Sequence, residues 1–102
     1  MVEPQGNRSE RSGHRGGHRA RLRRRILTGR SDGLHDHELV EYLLALAIPR
    51  RDTKPLANRL IDEFGSFARL LVADADMLGN FPGMEDTSVA ALKVVQMAAL
   101  RL

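Results

Sequence analysis

The sequence predicts an all-α protein, a compact bundle of about five helices, and three observations support this class. Apolar residues recur every three or four positions in several separate segments, which is the spacing of an α-helix with one buried face. Gly or Pro stands between these segments, where helices stop and start. No run of residues alternates between apolar and polar with the period of two that a half-buried strand shows.

The composition fits one small domain whose core is built from aliphatic side chains. The chain has 102 residues, no Trp, one Tyr and three Phe, and it has no Cys for a disulfide or a thiolate metal site. No apolar run is long enough to cross a membrane, and the N-terminus has no apolar signal-peptide segment. We therefore expect a soluble, cytoplasmic protein.

Charge separates the two ends of the chain. Residues 1–30 carry nine Arg against two Glu, a net charge of +7, whereas residues 31–102 carry a net charge of −4. Residues 1–17 contain almost no apolar side chain, so we predict a disordered basic arm there and a helical domain over residues 18–102. A basic arm on an acidic body suits a polyanion such as nucleic acid, but it equally suits a soluble tail that binds nothing.

The first helix is predicted from His18 to Leu27, with Gly29 as its C-terminal stop. Leu22 and Ile26 are four residues apart and form a thin apolar stripe. The other faces of this short amphipathic helix carry five arginines: Arg19, Arg21, Arg23, Arg24 and Arg25.

The second helix is predicted to start at an Asp36 cap and to end before Pro49, which biases the residue preceding it out of the α region. Its apolar residues are numerous enough for a helix that is buried on two sides. The predicted buried face consists of Leu39, Leu43, Leu46 and Ala47, and it is widened by Val40 and Leu44.

The third helix is predicted from about Thr53 to Phe64, with Asp52 or Thr53 as its cap and Gly65 as its stop. Pro55 is tolerated in its first turn, where no intrahelical N–H is needed. Its apolar residues at helical spacing are Leu56, Ala57, Leu60, Ile61 and Phe64.

Three further segments complete the helices. Ser66 is predicted to cap a short fourth helix, and Asp74 to open one more helical turn that reaches Leu78. A last helix is predicted from about Thr87 to Leu102, with Lys93 solvated beside its apolar stripe. The predicted buried residues of this helix are Val89, Leu92, Val95 or Val94, and Ala99.

A cluster of cations lies at the turn between the second and third helices. Arg50, Arg51 and Lys54 flank the start of the third helix at Thr53, where free backbone N–H groups face outward. A helix N-terminus beside three cations is a site for an anion such as phosphate. The same residues also fit an ordinary helical turn with solvated charges.

Residues 78–92 resemble a helix-hairpin-helix DNA-binding motif, within a hairpin over about residues 74–92. The motif positions are occupied by Leu78, Phe81, Pro82, Gly83, Met84, Val89 and Leu92. In that motif a tight Gly turn lets backbone N–H groups approach a phosphate, so Gly83 is a candidate contact. Glu85 takes the place of the second Gly of the motif, and with Asp86 it puts two carboxylates where the phosphate would lie.

The turn before the third helix aligns with this hairpin and predicts a tandem pair of helix-hairpin-helix-like units. The aligned pairs are Ile48 with Phe81, Pro49 with Pro82, Ala57 with Val89, and Leu60 with Leu92. The first copy has one residue more. Because the first hairpin is basic and the second acidic, only the first is a predicted phosphate clamp.

Three segments of the chain resemble the N-terminal domain of the bacterial RadC family. They are residues 17–23, 36–44 and 48–57, and the block Pro-Arg-Arg-Asp-Thr-Lys-Pro within the third is specific to that family. The resemblance covers about Gly17 to Leu102 and implies a role in DNA repair, for which these proteins are named. Their larger C-terminal part resembles a JAB/MPN metalloprotease domain with a His-x-His…Asp zinc site. The resemblance therefore also implies that this chain is a fragment in which that domain is absent.

No catalytic, metal or cofactor site is expected in these residues. His35 and His37 flank Asp36, and His14 and His18 are four apart, but residues two apart do not share a helix face and His14 lies in the predicted arm. No Ser/His/Asp set, phosphate-binding Gly loop or carboxylate pair with a base is present. We therefore expect no enzyme activity, no cofactor and no small-molecule substrate.

Two functions remain open. The first is a non-catalytic DNA-binding module that contacts the phosphate backbone without sequence specificity. Its predicted contacts are Arg50, Arg51, Thr53, Lys54 and Gly83, assisted by Arg19, Arg23, Arg24 and Arg25. The alternative is a protein-docking or dimerisation domain that positions the metalloprotease-like domain. The acidic body and the acidic second hairpin favour that alternative.

Overall fold

The structure, a computed structural model, describes residues 17–29 and 33–102, and residues 1–16 of the predicted arm lie outside them. The described residues form six helices and contain no strand, which confirms the predicted all-α class. Helix α1 covers 17–27. The other helices are α2 (Asp36–Ala47), α3 (Lys54–Phe64), α4 (Phe67–Val72), α5 (Ala75–Asn80) and α6 (Asp86–Leu100). None of the described helices is both long and apolar enough to cross a membrane.

The chain divides into two units, Met1–Leu34 and His35–Leu102. In the first unit, α1 stops near the predicted Gly29, which has a φ of +79° and donates its N–H to Ile26 O at 3.1 Å. Leu22 is buried and Ile26 is half-buried, as the apolar stripe predicts.

Helices α2 to α6 surround one aliphatic core in the second unit. α2 packs on α3, α4 and α6, and α6 packs on α2, α4 and α5. The buried core residues are Val40, Leu44, Ile48, Leu56, Ala57, Leu60, Leu70, Leu78 and Leu92. The three Phe residues are only partly buried and pack against this core, so aliphatic side chains fill its centre.

The buried face of α2 is rotated from the predicted one. Val40 and Leu44 are fully buried, whereas Leu46 is 66% exposed, so the prediction for Leu46 is wrong. Val40, Leu44 and the following Ile48 are spaced by four residues and form the line along which α2 meets the core. Because α2 carries apolar residues on most of its faces, its contacts with α3, α4 and α6 decide which of them is buried.

The prediction that Asp36 caps α2 is also wrong. α2 begins at Asp36 itself, and its N-cap residue is His35, whose N–H donates to the Glu38 carboxylate at 3.0 Å. The Asp36 carboxylate instead accepts from the N–H of Phe67 at 2.9 Å, at the start of α4. A carboxylate near a helix start can cap a helix that is distant in sequence, which local spacing does not reveal.

The predicted caps of α4 and α5 are confirmed. Ser66 Oγ accepts from the N–H of Arg69, and Asp74 Oδ2 accepts from the N–H of Asp76, each at 3.1 Å. Gly65 ends α3 with a φ of +98°, as predicted.

Helix α6 differs from its prediction at two residues. Leu92 is buried as predicted, but Ala99 is exposed, because the part of α6 that reaches the core ends well before Ala99. Lys93 is not simply solvated: its ammonium donates to the carbonyls of Leu71 and Ala73 at 3.0 and 2.5 Å, where α4 ends. Lys93 therefore caps the C-terminal end of α4.

Candidate nucleic-acid interface

Two turns with the same hydrogen bond precede α3 and α6. The N–H of Arg51 donates to Ile48 O at 3.2 Å, and the N–H of Met84 donates to Phe81 O at 3.0 Å. Pro occupies the second position of both turns, where its fixed φ fits. The third position of the second turn is Gly83, with the positive φ of +97° that a type II turn requires, whereas the first turn has no residue with a positive φ.

The helices that follow these turns also begin alike. The N–H of Ala57 donates to Thr53 O and the N–H of Val89 donates to Glu85 O, both at 2.9 Å. One turn further on, each helix places a Leu in the core. The charges differ, because the first turn of α3 has no acidic residue and the first turn of α6 has Asp86.

The side chain of Thr53 lies inside the protein. It is 1% exposed, and its hydroxyl donates to Glu41 O in α2 at 2.8 Å. The side chain that bonds the start of α3 belongs to Asp52, whose carboxylate accepts from the N–H of Lys54 at 3.2 Å. The Thr53 hydroxyl therefore joins α2 to α3, and a ligand at this helix start would meet the backbone of Thr53 rather than its side chain.

Arg51 connects the two turns. Its Nη1 donates to Gly83 O at 2.7 Å and lies 3.1 Å from Oε2 of Glu85. The Arg51 and Glu85 side chains are 40% and 53% exposed, so this ion pair lies at the surface. The positive charge of the first hairpin is thus partly balanced by the negative charge of the second.

Arg59, which sequence analysis missed, holds the second turn from α3. Its Nη1 donates to Pro82 O at 3.1 Å, and its guanidinium carbon lies 5.6 Å from the centre of the Phe81 ring, a cation–π distance. A Cβ on Gly83 would lie 3.2 Å from both Arg59 Nη2 and Leu56 Cδ1. Helical spacing places Arg59 beside the apolar stripe, three residues after Leu56. Its partners, Phe81 and Pro82, belong to the other turn, so the sequence around Arg59 does not reveal these contacts.

Cations also remain exposed at the first hairpin. Arg50 and Lys54 are exposed, on either side of the partly exposed Arg51, and we call these three residues the hairpin cations. Arg50 and Arg51 line an open concavity of about 250 Å³, together with Ile48, Pro49 and Glu85. An anion that enters it meets guanidinium donors and one opposing carboxylate.

The arginines predicted to assist belong to α1 in the first unit. Arg23, Arg24 and Arg25 are exposed, and Arg19 is half-buried. Arg25 Nη2 also donates to Gly33 O at 2.6 Å. These arginines make α1 a positively charged helix.

The histidines considered as metal ligands lie at the start of α2. The rings of His35 and His37 stack, with centroids 5.6 Å apart and planes 6° from parallel. Within residues 17–29 and 33–102, no three His, Asp or Glu side chains are grouped to hold a metal ion. His14 lies outside those residues.

Comparison with known proteins gives relatives that share one name. The chain is 47% identical over 81 residues to a UPF0758 protein of Rhodobacter capsulatus, which is 79% of this chain and 38% of the relative. It is 42% identical over 85 residues to a UPF0758 protein of Ruegeria pomeroyi, 83% of this chain and 38% of the relative. A third UPF0758 protein, from Fusobacterium nucleatum, is 37% identical over 79 residues, 78% of this chain and 34% of the relative.

The chain is therefore similar to UPF0758 proteins over about four fifths of its length. It spans little more than a third of the length of these curated relatives. No protein-family model and no solved structure matches it significantly. The name UPF0758 states no activity and no ligand.

Proposed function

We propose that this chain is a non-catalytic DNA-binding module that contacts the phosphate backbone without sequence specificity. The observation that carries this function is the position of the hairpin cations. Arg50 and Arg51 lie in a tight turn, and Lys54 lies in the first turn of the helix that follows. Cations at the start of a helix add to its dipole, and both favour an anion at that point.

The two hairpins differ in charge, and this supports the first as the contact. α3 has no acidic residue in its first turn and one carboxylate, Asp52, before it, whereas α6 begins with Asp86 directly after Glu85. The shared turn bond and the matching helix starts support the tandem helix-hairpin-helix-like interpretation. In such a pair one copy can bind phosphate while the other packs against it, as Gly83 packs against α3 here.

Binding of this kind is independent of sequence. The hairpin cations offer positive charge and N–H donors to phosphate oxygens. This proposal includes no helix that enters a groove of the DNA and contacts base edges, so it includes no source of sequence specificity. The arginines of α1 strengthen the long-range attraction for a polyanion without adding specificity.

The similarity to UPF0758 proteins and the resemblance to the RadC N-terminal domain support a single interpretation. We infer that the matched part of the longer relatives is the DNA-contacting domain of RadC-like DNA repair proteins. Any metalloprotease-like chemistry would then belong to the remainder of such proteins, and the described residues would have no enzyme activity.

A second candidate function, protein docking or dimerisation, is favoured by the C-terminal half of α6. Val94 and Met97 are 62% and 57% exposed, and Leu100 is 80% exposed. They lie on or beside an open concavity of about 450 Å³ lined by Val94, Met97, Ala98, Arg101 and Leu102. Exposed apolar side chains in a row along a helix are typical of a surface that another protein covers.

Fluorescence anisotropy of labelled duplex, forked and single-stranded DNA tests the first function. We expect the double variant Arg50→Glu/Lys54→Glu to weaken DNA binding by about tenfold or more at low salt, because it reverses the charge of two residues that are proposed to contact phosphate. Arg51 stays unchanged, because its reversal would also break the contacts to Gly83 and Glu85. The matched control is Arg69→Glu/Arg101→Glu, which makes the same charge change at two exposed residues outside the hairpin.

Equal loss of affinity in both double variants would show that net charge alone attracts DNA, and the first hairpin would be rejected as the site. No binding by the unchanged chain at low salt would reject the DNA-binding function. In that case a mass that rises with protein concentration in light scattering, and is insensitive to salt, would support docking or dimerisation.

A further inference from the structure

The Arg51–Glu85 ion pair places a carboxylate of the second hairpin on a cation of the first. Oε2 of Glu85 lies 3.1 Å from Nη1 of Arg51, and both residues line the concavity that Arg50 also lines. We propose that Glu85 is an internal competitor for phosphate: its carboxylate pairs with Arg51 in the unbound protein, and a DNA phosphate takes its place on binding. This inference rests on the DNA-binding function proposed above.

Carboxylate and phosphate are interchangeable partners for a guanidinium. Both present oxygens that accept charge-assisted N–H bonds from its planar fork. A carboxylate that already pairs with Arg51 therefore marks a position that a phosphate oxygen can occupy. Asp86, the next residue, lines a different concavity with Asp76 and Asn80 on the α5 side of the helix.

The exposure of the pair makes this exchange feasible. The Arg51 and Glu85 side chains are 40% and 53% exposed, so water screens the pair and the attraction between them is small. A fully buried pair would resist exchange, because the displaced carboxylate would lose its only compensating charge. Glu85 is also the N-cap residue of α6, so a carboxylate that leaves Arg51 can keep its position beside the first turn of that helix.

A second contact keeps Arg51 in place when Glu85 leaves. Nη1 of Arg51 also donates to Gly83 O at 2.7 Å, and this carbonyl belongs to a turn that Arg59 holds through Pro82 O. The guanidinium therefore remains at the concavity in both states. Glu85 lowers affinity without being needed to position the cation.

The expected consequence is a preference for a nucleic-acid strand over single small anions. A lone anion that displaces Glu85 can contact only Arg50 and Arg51 in the concavity, whereas a nucleic-acid strand adds further contacts, such as one to Lys54, at the same time. The competitor thus weakens the binding of single small anions more than the binding of a polyphosphodiester chain.

The variant Glu85→Gln tests this inference in the whole chain. It keeps the shape of the side chain and removes its charge, and we expect it to bind the same labelled duplex about threefold to fivefold more tightly at low salt. The matched control is Asp86→Asn, which removes one negative charge from the adjacent residue and which we expect to change affinity less than about twofold. Equal gains from the two variants would overturn the inference, since repulsion by net charge would explain both.

A double-mutant cycle separates the pair from a general charge effect. In an Arg51→Gln background Glu85 has no guanidinium to compete for, so we expect Glu85→Gln to change affinity no more than Asp86→Asn does. A full gain in that background would overturn the inference. Circular dichroism and thermal unfolding of every variant show that a change in binding is not a change in folding.

The two proposals fail in different ways. If Arg50→Glu/Lys54→Glu weakens binding but Glu85→Gln leaves it unchanged, the hairpin binds DNA and Glu85 is no competitor. If neither the unchanged chain nor Glu85→Gln binds DNA, both proposals are wrong. Binding that is detectable only in Glu85→Gln would also reject both proposals, because the unchanged chain would not bind DNA.

Discussion

Gly83 lies where the second turn packs against the side chains of Leu56 and Arg59 in α3. Its φ of +97° is one that residues with a Cβ rarely adopt, and its carbonyl accepts from Arg51. The Cβ of any other residue would lie 3.2 Å from Leu56 Cδ1 and from Arg59 Nη2. Gly83 is therefore required for the turn and for the contact between the hairpins, whether or not a phosphate binds nearby.

A pair of Gly→Ala substitutions isolates this requirement. We expect Gly83→Ala to lower the free energy of unfolding by about 1–3 kcal/mol, because it combines a positive φ with a tight contact. Gly79→Ala is the control, since Gly79 lies in α5 with no atom within 4 Å of its missing Cβ. It should leave stability unchanged or raise it by up to about 1 kcal/mol. Urea unfolding measures both, and equal effects would contradict the role of Gly83.

At the scale of elements, α4 depends on side chains from two other helices. It has six residues, too few to be stable alone in water. Asp36 from α2 accepts from the N–H of Phe67 at its start, and Lys93 from α6 donates to the carbonyls of Leu71 and Ala73 at its end. The negative charge of Asp36 at the N-terminus of α4 and the positive charge of Lys93 at its C-terminus are also favourable with the helix dipole.

Removal of either charge should loosen α4. We expect Lys93→Met to lower the free energy of unfolding by about 1–3 kcal/mol, because two carbonyls lose a charged donor. Asp36→Ala should lower it by about 0.5–2 kcal/mol, as for other lost caps. Arg101→Met, at an exposed residue, is the control. Chemical unfolding measures the losses, and an effect of Lys93→Met no larger than that of Arg101→Met would contradict the capping role.

The same helices show how far the sequence predicts the fold. Local signals are sufficient for the helices and for caps such as Ser66 and Asp74, because the partner atoms lie within three residues. They are not sufficient for the contacts that Asp36 and Lys93 make with α4, whose partner residues lie 31 and at least 20 residues away.

For the candidate site, too, the sequence predicts local features but not contacts between distant residues. The hairpin cations follow from the sequence around Pro49, since a turn and a helix start are local features. The contacts of Arg51 with Glu85 and of Arg59 with Pro82 do not, because they require the packing of one hairpin on the other. The buried position of Thr53 likewise depends on α2, through the Glu41 carbonyl.

At the scale of the whole molecule, positive charge is concentrated in fewer residues than the N-terminal composition suggests. Residues 1–16 carry three Arg against two Glu, so they contribute a net charge of only +1, and the remaining six Arg of the first thirty residues lie in 17–30. If the proposed DNA binding is right, we therefore expect the long-range attraction to come mostly from the segment that contains α1, with the contact at the hairpin cations.

Removal of residues 1–16 should therefore leave DNA binding largely intact. We expect a chain that begins at Gly17 to bind duplex DNA within about threefold of the full chain, because one net charge corresponds to about one phosphate contact. The logarithm of its association constant should fall with the logarithm of salt concentration with a slope reduced by about one. Arg50→Glu/Lys54→Glu should reduce the same slope by about two, since two phosphate contacts are lost.

Anisotropy titrations at about 50 to 200 mM salt measure the slope for the shortened chain and for the double variant. If the slope collapses for the chain that begins at Gly17 and stays the same for Arg50→Glu/Lys54→Glu, the N-terminal residues form the interface and the hairpin does not.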